Sequence, residues 1–180
     1  MQIDLVVFRA LNGLVGGGGV LDTLVVFCAH TLPYIVVILL LWHIWHNRTG
    51  VRKSFLHSFD IFFSPAVAYF VGSILKVLIA RPRPFINLPG VHLLFGADGF
   101  AMPSGHATFY FALALALYYH NKTLGKIMFA GAALISITRV MAGVHYSTDI
   151  IAGALLGMIV VYLLELFVSQ RDNTVTSSII

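Results

Sequence analysis

The run LDTLVVFCAHTLPYIVVILLLWHI, residues 21–44, decides the fold. Its only formal charge is Asp22, at the very start. A stretch this long and this apolar reads as a membrane-spanning helix, because about 20 such residues cross the hydrocarbon. Pro33 predicts a kink within it, and Trp42 and Trp45 stand where an aromatic belt meets the interface. The run starts too late and continues too long for a cleaved leader, and no small-residue cleavage site follows. The whole chain shares this character. Of 180 residues, 59% are hydrophobic and 10% charged, with mean hydropathy +0.92. A soluble domain has about 45–50% apolar and about 25% charged residues, so a soluble protein is excluded.

Outward from that span, four more follow at about 58–80, 104–120, 124–142 and 147–168. Upstream, QIDLVVFRALN (2–12) reads as a short amphipathic helix at the membrane interface. The fold expected is all-α, a polytopic membrane helix bundle of about five transmembrane helices plus an N-terminal amphipathic helix. GGGG at 16–19 reads as a flexible joint; it lacks the strand and the Lys-Ser/Thr of a phosphate loop. The tail, SQRDNTVTSSII (169–180), is polar and expected to fray. No repeat or composition shift marks a second domain, so residues 1–180 read as one. The lone Cys28 excludes an internal disulfide, and the dispersed net charge of +4 gives no reason to expect nucleic acid as a partner. Oligomeric state is not legible.

Orientation follows from the basic residues. With five spans, one face carries Arg48, Arg52, Lys53, Lys122, Lys126 and Arg171. The other, once Lys76, Arg83 and Arg139 are set aside for their chemistry, keeps Arg9 and Arg81. The positive-inside rule puts the first face in the cytoplasm, so the second faces the periplasm or cell exterior.

A set of polar residues converges at the outward helix ends. Lys76 ends span two and Arg83 follows it, Ser104, Gly105 and His106 open span three, Arg139 ends span four, and His145 and Asp149 open span five. Polar groups at membrane depth are costly and call for a reason. This set suits a phosphate. Lys and Arg supply charge and forked donors, and Ser104-Gly105 opens a helix whose free amides favour anions. Two histidines remain, one able to attack phosphorus and one to protonate the leaving oxygen. Asp149, four residues after His145, can fix its tautomer. Singly, each residue has a plainer reading: Lys76 snorkelling to the interface, Arg139 on a headgroup. His30, His43, His46, His57, His92 and His120 read as structural. His106, His145 and Asp149 could ligate zinc, but nearby cations would repel a metal, so no metal is expected. A Ser104–His106 protease leaves the cations unexplained. A transporter would spread its polar groups along a pathway; a non-catalytic anion-binding protein stays open.

KVLIARPRP (76–84), PSGH (103–106) and TRVMAGVHYSTD (138–149) resemble the three signature motifs of the type 2 phosphatidic acid phosphatase superfamily. Thr138 departs from the family's usual Ser and keeps the hydroxyl. The resemblance implies a membrane-embedded, metal-independent lipid phosphatase without cofactor. His145 would be the nucleophile, Asp149 its orienting carboxylate and His106 the general acid. Lys76, Arg83, Ser104, Gly105 and Arg139 would hold the phosphoryl oxygens. LNGL (11–14), LD (21–22) and RPRPF (81–85) resemble the bacitracin-resistance type of undecaprenyl-diphosphatase within it, which implies a lipid diphosphate as partner. Phosphatidylglycerophosphate and lipid A phosphatases are the runners-up. Phe85, Phe95, Phe100, Phe109 and Tyr110 are candidate walls for the lipid tail.

Overall fold

The structure, a computed structural model, describes the backbone of residues 2–46 and 51–177 and the side chains of 2–43, 46 and 61–167. Trp45, Arg48, Arg52, Lys53, His57 and Arg171 lie outside the described side chains, and with them part of the charge asymmetry. The described residues are helical, with no strand. Helix α1 is Gln2–Asn12, α2 is Val20–Val26 and α3 is Leu32–His46, with a π-helical turn at Phe27–Thr31 between the last two. Then come α4 (Val51–Ile79), the short α5 (Pro84–Asn87), α6 (Gly105–His120), α7 (Lys122–Met141) and α8 (Ser147–Ser177). Helix α8 runs past its expected end at 168, into the tail expected to fray.

Among the described residues, four stretches are long and apolar enough to cross a membrane: Val20–His43, Ile61–Asn87, Lys122–Met141 and Ser147–Phe167. The third expected span, α6, is shorter, with 16 residues, a length of about 24 Å against about 30 Å of hydrocarbon. Its position explains this. Helix α6 is the central element, packed against α4, α7 and α8, with Ala107, Thr108, Tyr110, Ala112, Leu113, Ala114, Ala116 and Leu117 buried. A helix enclosed by others and apolar on every side need not match the lipid.

The α6–α8 crossing is set by two glycines. A Cβ on Gly153 would lie 2.6 Å from the Ser104 carbonyl oxygen, and one on Gly157 would run into the Thr108 carbonyl. In lipid, apolar burial does not drive helices together, and small residues let backbones approach. GALLG (153–157) is such a small-xxx-small seam.

Helix α1 turns its sides the unexpected way. Asp4, Phe8 and Asn12 are buried against the bundle, while Ile3 and Val6 are 81% and 67% exposed. Asp4 and Asn12 face the protein beside Phe8, Leu5 and Leu11, while Ile3, Val6 and Val7 look outward, as suits a helix lying at the lipid boundary. The four glycines beyond it make a defined turn: the Asp22 carboxylate accepts from the Gly16 amide at 3.0 Å and the Gly18 amide at 2.7 Å.

Candidate active site

Five chain segments bring the expected residues to one end of the bundle. Helix α4 ends just after Lys76, and Ala80 (φ 50°) turns the chain into the Arg81–Pro84 segment. Ser104 is the N-cap of α6, with Gly105 and His106 in its first turn. Arg139 lies in the last turn of α7. Gly143 (φ 82°) then reverses the chain, and a Cβ there would sit 2.7 Å from the His92 carbonyl oxygen, so only glycine suits the turn that presents His145. The Ser104 amide donates to the Asp149 carbonyl at 3.0 Å, tying the start of α6 to the start of α8.

His145 and Asp149 are almost wholly buried. His145 Nδ1 lies 3.4 Å from Asp149 Oδ2, which also accepts the Tyr146 amide at 2.8 Å. That leaves His145 Nε2 facing the cations, 3.5 Å from Arg83 Nη1. Arg83 is mostly committed to backbone: Nε donates to Gly99 at 3.0 Å, Nη2 to Asp98 at 2.7 Å and Nη1 to Val144 at 2.9 Å. A guanidinium has five donors, and with Nη1 also directed at His145 Nε2 only one is left over, so Arg83 organises the 98–99 loop as much as it could hold a ligand. Arg139 Nη1 donates to the Ala29 carbonyl at 3.0 Å and lies 3.4 Å from His106 Nε2. The Ala29 carbonyl is available because Pro33, four residues on, has no N–H to give it. The break expected at Pro33 thus takes the form of a π-helical turn that anchors Arg139.

Two buried polar atoms in this cluster have no partner among the described residues: Ser104 Oγ and Arg139 Nε. Buried donors are normally satisfied. Lys76 is within electrostatic range of Arg83, Arg139 and Asp149. Burial, reinforced by Arg139, Arg83 and Lys76, holds the His145 imidazole well below the ordinary histidine range, so it is neutral. The arrangement is a chemically consistent oxyanion receptor: fixed cations, orphaned donors, a helix N-terminus and an imidazole on either side. It is a poor metal site. The Asp149 carboxylate is taken by Arg81, the Tyr146 amide and His145, and among the described residues no three His, Cys, Asp or Glu side chains converge.

A cavity of about 270 Å³ opens beside His106, lined by Tyr69, Gly105, His106, Phe109 and Tyr110. Phe109 and Tyr110, two of the candidate tail-wall residues, line it. Phe85, Phe95 and Phe100 do not line it; Phe95 instead lies 5.6 Å below the Arg139 guanidinium and edge-on to His30. Gly105 has a packing reason beyond anion approach, since its Cβ would come within 3.0 Å of the Tyr69 ring. The sequence reading missed Tyr69, although it stands two helical turns before Lys76 on α4. In sequence Arg81 counts only as a basic residue of the outward face. The structure pairs Arg81 with Asp149 at 2.6 Å and with Asp4 at 2.7 Å.

Among known proteins, the chain is 29% identical to the bacitracin transport permease protein BcrC of Bacillus licheniformis, over 88% of this chain and 77% of that one. It is 25% identical to undecaprenyl-diphosphatase BcrC of Bacillus subtilis, over 87% and 80%. The crystal structure of Aquifex aeolicus LpxE superposes with a TM-score of 0.76 at 27% identity, covering 91% of this chain and 94% of that one. Residues 57–172, more than half of the chain, match the PAP2 superfamily, and with its apolar spans and the motif residues gathered at one end, this multi-pass membrane protein belongs to the PAP2 superfamily.

Proposed function

We propose that the chain is a metal-independent lipid phosphatase that removes the terminal phosphate of undecaprenyl diphosphate. The observation that carries this reading is the pair of unpartnered buried donors, Ser104 Oγ and Arg139 Nε, lying among cations with a histidine on either side. Lys76, Arg83, Ser104, Gly105 and Arg139 bind the phosphoryl oxygens and neutralise their charge. The lone pair of His145 Nε2 attacks phosphorus, with Asp149 holding the ring through Nδ1. The bond from phosphorus to the leaving oxygen breaks, and His106 gives that oxygen a proton. The lipid monophosphate departs, leaving a phosphohistidine. His106 then takes a proton from water, whose oxygen attacks phosphorus; the bond from phosphorus to His145 Nε2 breaks with its electron pair returning to the imidazole, and inorganic phosphate is released. The cavity beside His106 adjoins the leaving-group side, where the lipid portion lies.

The same reading makes residues 1–180 one phosphatase domain in a bacterial cytoplasmic membrane, its site opening to the periplasm or cell exterior. The basic residues on the opposite face support that orientation. Clustering of the polar groups at one end favours hydrolysis over transport, despite the permease name of one relative. The test is inorganic phosphate released by the purified protein in detergent with excess EDTA. Undecaprenyl diphosphate is compared with phosphatidylglycerophosphate and lipid A. Fast release from the first, unchanged by EDTA, is expected. Preference for another lipid overturns the substrate; loss restored by zinc or magnesium overturns the metal-free mechanism. Phosphate binding without release makes the chain an anion-binding protein.

A further inference from the structure

Asp149 is the one carboxylate in direct contact with His145 among the described ion pairs, and it is completely buried. Its Oδ2 is shared between the Tyr146 amide and His145. Its Oδ1 takes Arg81 Nη1 at 2.6 Å. The Arg81 guanidinium is gripped in turn: Nη2 donates to Asp4 Oδ2 at 2.7 Å, Nη1 also reaches Thr148 Oγ1 at 2.6 Å, and its carbon lies 4.0 Å over the Tyr146 ring. Asp4 closes the loop onto α8. Its Oδ1 accepts the Thr148 amide at 3.0 Å and its Oδ2 the Thr148 hydroxyl at 2.7 Å. A helix far from the motifs in sequence is therefore wired to the carboxylate behind His145.

We propose that Arg81 and Asp4 are positioning residues: Arg81, clamped by Asp4 of α1, fixes the Asp149 carboxylate in the rotation at which Oδ2 addresses His145. The inference rests on the phosphohistidine reading above and adds to it a role for α1. Three physical points carry it. A buried carboxylate with one oxygen unpaired is strongly disfavoured, so Asp149 would turn or draw in water without Arg81. The planar fork of arginine can bridge two carboxylates at fixed angles, which a lysine point charge cannot. Asp4 stays ionised to hold it: burial alone would raise its pKa, but hydrogen bonds from Arg81 and Thr148 outweigh that and leave it lowered. The remaining polar contacts of α1 dock it to the bundle away from Asp149. Arg9 Nη2 donates to the Pro89 carbonyl at 2.9 Å, and the Asn12 side chain spans the His92 and Met141 carbonyls at 2.8 Å each.

The test measures kcat and KM for phosphate release from undecaprenyl diphosphate, with unfolding temperature recorded for every variant. Arg81→Gln should lower kcat by about 10²-fold with KM within about threefold, because misplacing a catalytic group costs that much while leaving binding intact. Arg81→Lys should recover part of the loss, and Asp4→Asn should cost about tenfold, since it removes the charge yet keeps an acceptor for Thr148. Arg9→Gln, which removes a docking contact of α1 remote from Asp149, should stay within about twofold. In an Asp149→Asn background, Arg81→Gln should cost less than about threefold, because residues acting through one partner are non-additive. The proposal is overturned if Arg81→Gln keeps near wild-type kcat, if the two losses multiply, or if Arg9→Gln loses as much as Asp4→Asn. Should Arg81→Gln fail to fold, Arg81→Lys and Asp4→Asn decide it by the same split between kcat and KM. A wild-type protein that releases no phosphate from any of the three lipids overturns the phosphatase reading itself, a result distinct from an active wild type with an indifferent Arg81.

Discussion

The two ends of the bundle are held by different forces. At the site end, α1, the Arg81–Pro84 segment, α7 and α8 are laced by directional contacts: the Asp4–Arg81–Asp149 ion pairs, Arg83 on three carbonyls, Arg139 on Ala29. Away from the site, α6 meets α7 through Leu113, Leu117, Met128, Ala132 and Ile135, with no polar group in that cluster but the Tyr110 hydroxyl. Between the two lies the Gly153–Gly157 seam, where α8 touches the backbone of α6. The difference teaches a division of labour. Close packing of small residues sets the spacing of the helices, and polar lacing then aims side chains within that spacing. The seam lies about one turn from Asp149, so packing and chemistry meet at the Ser104 carbonyl, which faces Gly153 and also accepts from the Thr108 amide and hydroxyl.

If this division is right, damage at the site end should be chemical and damage at the seam structural. The largest effect belongs to His145→Ala. Removing a nucleophile should lower phosphate release by at least about 10⁴-fold. Removing a fully buried ring also leaves a cavity and takes one partner from Asp149 Oδ2, so the unfolding temperature should fall modestly, far too little to account for the lost turnover. Phosphate release and thermal melts in detergent check both, and a variant with near wild-type turnover would end the nucleophile assignment. Next in size is Gly157→Leu. Its side chain has nowhere to go but into the Thr108 carbonyl, so α8 must slide or separate from α6. A large loss of folded protein is expected, with activity falling in proportion to what remains folded. Normal stability with a selective loss of turnover would show that the seam serves the chemistry directly and would blur the comparison.

The seam also shows what the sequence made legible. The spans were readable because lipid demands long apolar helices, and the site residues because charge at membrane depth is rare enough to notice. All eight expected residues do lie at one end. GALLG was equally visible as a small-xxx-small pattern, yet within an apolar span it does not stand out. Arg81 was misjudged for a different reason. Beside Arg83 in RPRP it looks like one more loop cation, and only the fold brings Asp4 next to it from 77 positions away in sequence. The role of Pro33 lay deeper still. A break could be expected, but not that the freed Ala29 carbonyl would receive an arginine 110 positions distant. Local pattern reveals what a residue costs; which partner offsets that cost is a property of the tertiary structure.

The smallest predicted effect concerns acid. His145 is buried and neutral in the folded protein, with Arg139, Arg83 and Lys76 opposing its protonation. In the unfolded chain it titrates near 6.5. Below that pH the unfolded state binds a proton that the folded state does not, so stability falls as pH falls, by up to about 1.4 kcal/mol per pH unit for this one group. Above about pH 7 the group contributes no slope. Thermal melts between pH 8 and 5 should therefore decline at the acid end, and His145→Gln, which cannot titrate, should flatten that decline while leaving the neutral plateau close to wild type. The same comparison separates the two regions. Leu113→Ala, in the apolar cluster, should lower the melting temperature equally at every pH, because no proton is linked to the contacts it removes. If His145→Gln kept the full acid slope, the imidazole would be gaining its proton in the folded state too, and the site end would owe its acid sensitivity to another group.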